Sequence, residues 1–205
     1  MQQAADFLTE CDRIHTLVAP LDEAVLATPT AFKGWTIGDV IGHLHVWNQA
    51  AQLSLKDEDA FKAFMRQVGG IIAKGGDLNS FERVWLDGLT GQALISRWAE
   101  TYRTVAADFA EADPAQRVPW AGPSMSARSS ITARLMESWA HAQAIFDVLG
   151  VDRENGDALN RSIRRTMRWH HLLRGGRSDQ LSLEEQRGLL GELNFLERLI
   201  GLLGH

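Results

Sequence analysis

Apolar residues recur at helical spacing through every long segment of this chain, and strand-like alternation never persists for more than a few residues. Such a chain buries its apolar stripes by packing helix on helix. The spacing predicts a first helix over residues 4–18, ending at Pro20. The stretch ATPTAFKGW reads as a loop. Thr36 and Asp39 have the T-x-x-D spacing of a capping box and open a second helix over 37–55. Shorter helices follow at 59–73 and 79–87, separated by KGGD. A third long helix covers 91–111 and stops before Pro114. DPAQRVPWAGPSMS, with three prolines, is a loop, and Ser126 caps a fourth long helix over 127–149 that Gly150 ends. Four long helices make a bundle, and the long connection between the second and third rules out the simplest hairpin array.

The character changes after Gly150. VDRENGD is a polar linker, RSIRRTMRWHHLLR is basic, and Ser182 with Glu185 caps a last helix to about Leu203. The expectation is all-α: a four-helix bundle over 1–150, with extra short helices between its second and third members, and a helical extension over 151–205. The stripe Leu189, Leu193, Leu196, Leu199, Ile200 and Leu203 suits packing on the bundle or a homodimer contact.

Bulk properties narrow the partners. A net charge of −5 gives no general help in binding nucleic acid or anionic lipid. The basic face of Arg161, Arg164, Arg165 and Arg168 therefore reads as solvated, with carboxylates of an acidic cofactor as the other candidate. No stretch approaches the roughly 18 apolar residues of a membrane span. The lone Cys11 cannot form an internal disulfide and has no basic cluster near it in sequence. No signal peptide is visible, so a cytoplasmic location is expected.

One constellation carries chemistry. In MESWAH, Glu137 and His141 lie four residues apart and share one face of the fourth helix. The bulky stripe Leu135, Trp139, Ala142, Phe146 and Leu149 points the other way. Around Glu137 and His141 stand Ala133, Ala140, Ala144 and Val148, where a solvent face would carry Lys, Glu or Arg. Small apolar residues around two ionisable groups suit a cavity wall. A carboxylate there needs a partner, either a divalent cation or Arg134, which is close in phase. A cation needs a third ligand, and the second helix offers His43 or His45. These lie about 200° apart around that helix, on either side of its apolar seam of Ile37, Val40, Leu44, Trp47 and Ala51. Periodicity does not choose between them. Trp35 and Trp120, in the loops leading into the two helices, either wall the mouth of a site or pack the loops on the bundle.

GWTIGDVIGHL, followed much later by GPSMSARSSITARLMESWAH, resembles the DinB / mycothiol-dependent maleylpyruvate isomerase superfamily. It is most similar to the superfamily's actinobacterial group of metal-binding proteins. ATPT, GWT, HL, the VPW and GP pieces, WAH and LG recur in the same order over about residues 4–150. The resemblance implies a DinB-like bundle with metal ligands His43, Glu137 and His141, and leaves His45 a supporting or structural part. It implies a metal-dependent transferase or isomerase that activates a low-molecular-weight thiol such as mycothiol towards an electrophilic substrate. Zn²⁺ is the first choice for two imidazoles and a carboxylate, and Ni²⁺, Fe²⁺ and Mn²⁺ suit the same donors. The rival expectation is a non-catalytic metal- or ligand-binding module. A third is a metal-free bundle in which Arg134 neutralises Glu137. Longer relatives carry a mixed α/β second domain, whereas residues 151–205 read as helical.

Overall fold

In the computed structural model, which describes residues 1–153, the chain runs α1 (Gln2–Val18), α2 (Glu23–Leu26), α3 (Ile37–Lys56), α4 (Glu58–Ile72), α5 (Leu78–Leu86), α6 (Gly91–Glu111) and α7 (Ala127–Leu149). Local chemistry sets the ends. The capping box at α3 is formed: Asp39 N–H donates to Thr36 Oγ1 at 3.0 Å, and Thr36 N–H donates to Asp39 Oδ2 at 3.0 Å. Ser126 Oγ accepts from Ser129 N–H at the start of α7, and Gly150 ends it in the left-handed conformation at φ 65°.

The four long helices α1, α3, α6 and α7 make an all-α bundle. α3 packs on α6 and α7, and α1 packs on the same two, so α1 and α3 occupy opposite corners. α4 and α5 lie against the outside of α3. Gly42 permits the close approach of α5, because a Cβ there would stand 2.9 Å from Leu86 Cδ1. Enclosed by these neighbours, α3 is buried on nearly every side. Its seam residues are in the core, and so are His43, His45 and Asn48.

Two small features escape the helical pattern. α2 occupies part of the stretch between Pro20 and the first loop, with Asp22 as its cap. Within the three-proline loop, β1 (Arg117–Val118) pairs antiparallel with β2 (Met125–Ser126). Among the described residues no helix is long and apolar enough to cross a membrane. The basic run, the last capped helix and its leucine stripe lie outside the described residues.

Candidate metal centre

α3 and α7 meet where each carries its ionisable residues. His43 comes from α3, and Glu137 and His141 from successive turns of α7. One ligand atom from each lies within 4.8 Å of the others. Glu137 Oε2 is 3.0 Å from His141 Nε2 and 3.9 Å from His43 Nε2. The two imidazole centroids are 4.5 Å apart. His43 is 2 % exposed, while Glu137 and His141 each keep 12 %, so the cluster opens outward on its α7 side. The neighbouring Ala133, Ala140, Ala144 and Val148 are half-buried, neither core nor solvent face.

Glu82 of α5 completes the setting, and sequence reasoning missed it. Its Oε1 accepts from His43 Nδ1 at 2.7 Å and from Trp47 Nε1 at 2.8 Å. Glu82 is 3 % exposed. A signal existed: it falls within the apolar stripe of Leu78, Phe81 and Trp85, where a carboxylate is out of place. With Nδ1 engaged, His43 Nε2 is buried without a hydrogen-bond partner.

Charge is distributed unevenly over the cluster. Burial opposes a charged His43, yet the carboxylates of Glu82 and Glu137 outweigh it and raise the pKa to about 9. Burial and the neighbouring His43 charge push His141 the other way, below its ordinary value. Burial also opposes the Glu137 carboxylate, but hydrogen bonding from His141, together with His43 and Arg134, holds it far below the usual range. Without a metal, a proton on His43 and the nearby Arg134 guanidinium together stand against the two carboxylates.

His45 is absent from this cluster. It is buried beside Arg97 of α6, and burial first, then that arginine, lowers its pKa to about 4, which keeps the ring neutral. Arg134 is wholly buried, but its Nε donates to Asn48 Oδ1 at 3.0 Å and its Nη2 to the Leu44 carbonyl at 3.5 Å. Its guanidinium is thus turned to neutral acceptors on α3. Phe32 meets the His141 ring edge-on at 5.0 Å, and Trp35 stands 5.5 Å from His43. The loop that carries both is pinned by Thr30 N–H to the Trp35 carbonyl, and it turns through Lys33 and Gly34 with positive φ. Trp120 is one ring further out, 6.2 Å from Trp47 and stacked on Phe61. Cys11 is buried against Ser138, and burial raises its thiol pKa, which makes it inert. A cavity of about 450 Å³ lies between α2, α3, α5 and the start of α6. It touches His43 and Glu82 but not Glu137 or His141.

The donors fit a divalent cation. Two imidazoles and one carboxylate converge, and the buried, unpartnered Nε2 of His43 faces the other two. Among the described residues no fourth His, Cys, Asp or Glu joins them. Three protein donors leave a position for an exogenous ligand, the pattern of catalytic rather than structural sites.

The sequence profile of the mycothiol maleylpyruvate isomerase N-terminal domain matches residues 7–146. A profile of a putative PD-(D/E)XK family matches residues 142–202, most of them outside the described residues. Two uncharacterized proteins of Mycobacterium tuberculosis, from strains CDC 1551 / Oshkosh and ATCC 25618 / H37Rv, are each 35% identical over 149 residues. The match covers 73% of this chain, and the chain spans 57% of the length of those relatives. A crystal structure of a histidine-to-alanine mutant of mycothiol-dependent maleylpyruvate isomerase shares the fold at a TM-score of 0.59 and 15% identity. That likeness covers 86% of this chain and 72% of the other.

Proposed function

The chain belongs to the mycothiol maleylpyruvate isomerase N-terminal domain family, and on that premise we propose that it binds one divalent metal ion through His43, Glu137 and His141 and uses it to activate a low-molecular-weight thiol. The thiol is of the mycothiol class, the reaction is transfer to or isomerisation of a small electrophile, and Zn²⁺ is the proposed ion. One observation carries this reading: three ligand atoms from two helices converge within 4.8 Å, one of them a buried imidazole nitrogen with no other partner. When bound, such an ion supplies Lewis acidity that brings the pKa of a thiol or water towards neutrality.

The chain's own residues supply the rest. Neutral His43 and His141 and ionised Glu137 are the protonation states that ligation requires. Glu137 is already held ionised, and His141 is already disposed to be neutral. Phe32 and Trp35 flank the two imidazoles from the loop before α3. The remaining exposure of Glu137 and His141 provides the approach for a small molecule.

The test is elemental analysis of untagged protein. Wild type and His45→Ala are expected to carry near-stoichiometric metal, and His43→Ala and Glu137→Ala to lose it. Metal retained by His43→Ala would overturn the ligand assignment. With metal established, thiol-dependent turnover of model electrophiles separates the enzyme from a binding module, for which metal binds and no turnover follows.

A further inference from the structure

We propose that Glu82 is the positioning residue of this site: it holds a proton on His43 Nδ1 and so turns Nε2, the nitrogen free to become a ligand, towards Glu137 and His141. The geometry leaves little choice of proton position. Oε1 already accepts from the indole N–H of Trp47, which can only donate, so it meets His43 as an acceptor and the 2.7 Å contact places a proton on Nδ1. The same Oε1 accepts from Trp47 Nε1 at 2.8 Å, which fixes the carboxylate from a second direction. Trp47 lies one turn beyond His43 on α3, so a single oxygen of α5 ties two successive turns of α3.

α5 itself is well anchored for this task. Phe81 and Trp85, on either side of Glu82 in sequence, both meet the Phe64 ring edge-on, at 5.2 and 4.8 Å. Trp85 Nε1 donates to Gln49 Oε1 at 2.8 Å. Without such an acceptor an imidazole distributes its proton over both nitrogens, and the form protonated on Nε2 has no lone pair to offer there. A carboxylate behind the ring also makes the opposite nitrogen a stronger base, and therefore a stronger ligand.

The consequence for metal rests on the reading of the preceding section; the proton position does not. Two measurements keep them apart. The first is long-range ¹⁵N–¹H NMR of the imidazoles in metal-free protein, with the pH raised until the His43 ring nitrogens report the neutral form. Wild type is expected to show His43 protonated on Nδ1, and protonation on Nε2 would overturn the assignment without any variant. In Glu82→Met, which keeps the length of the side chain and removes both acceptors, the proton is expected to move to Nε2. In Glu82→Gln, whose amide oxygen can still accept, it is expected to stay.

The second measurement is metal affinity. Glu82→Met is expected to bind on the order of 10- to 100-fold more weakly than wild type, and Glu82→Gln to fall between. Wild-type affinity and an Nδ1 proton in Glu82→Met would show that Glu82 serves only the fold. A wild type that shows the Nδ1 proton and takes up no metal overturns the metal reading and leaves Glu82 as the group that orients the ring.

Discussion

His43 is pressed between two carboxylates, and its proton governs how the site responds to pH. Its pKa in the folded, metal-free protein is about 9, against 6.5 for the ordinary group. A raised folded-state pKa stabilises fully below the unfolded value, and that stabilisation is lost as pH rises through the folded one. Metal-free protein is therefore expected to lose stability between about pH 6.5 and 9. On the metal reading, binding displaces the same proton and is expected to become more favourable over the same window. Thermal melts with chelator and with excess Zn²⁺ should diverge as pH rises; a constant separation would exclude His43 as the linked group. Asn48 makes a second case. It gives buried Arg134 a 3.0 Å acceptor, so Asn48→Leu strips a partner from a charge that cannot reach water. Urea denaturation of that variant is expected to show a loss of about 2–3 kcal/mol.

Among the elements, those with a period and a cap were legible before the fold was known. α3 and α7 begin at Thr36 and Ser126 because short side-chain oxygens there accept orphan helix donors, and such residues announce themselves in sequence. Thr36→Ala is expected to cost about 1 kcal/mol in chemical denaturation. It should also loosen the Phe32–Trp35 loop, which enters α3 through that residue, and quenching of Trp35 fluorescence would register the change. α2 and the β1–β2 pair were not legible, because four residues and two pairs are too short to show a period. The candidate cluster was half legible. Glu137 and His141 share one helix, so their spacing places them together. The choice of His43 over His45 came from resemblance, because it depends on which neighbours enclose α3. Glu82 went unseen because it belongs to a separate helix, and only its awkward place in an apolar stripe marks it.

For the whole molecule, every residue of the candidate site lies within the compact unit Met1–Arg153. Arg153 belongs with it, since its guanidinium pairs with buried Glu10 and lies over Trp139 and Phe146. A chain shortened to residues 1–156 is therefore expected to melt cooperatively and to retain the metal content of the full chain. Loss of metal on shortening would place a required part of the site beyond Arg153. The wide separation of His43 from Glu137 and His141 along the chain also sets a timetable. Synthesis runs from the N-terminus, so the ribosome releases His43, Trp47 and Glu82 long before α7 exists. The emerging chain thus carries His43 without the two donors of α7, too poor a set to retain a cation. On the metal reading, loading waits until α7 docks, and the ion is drawn from the free pool by the finished protein rather than captured during translation.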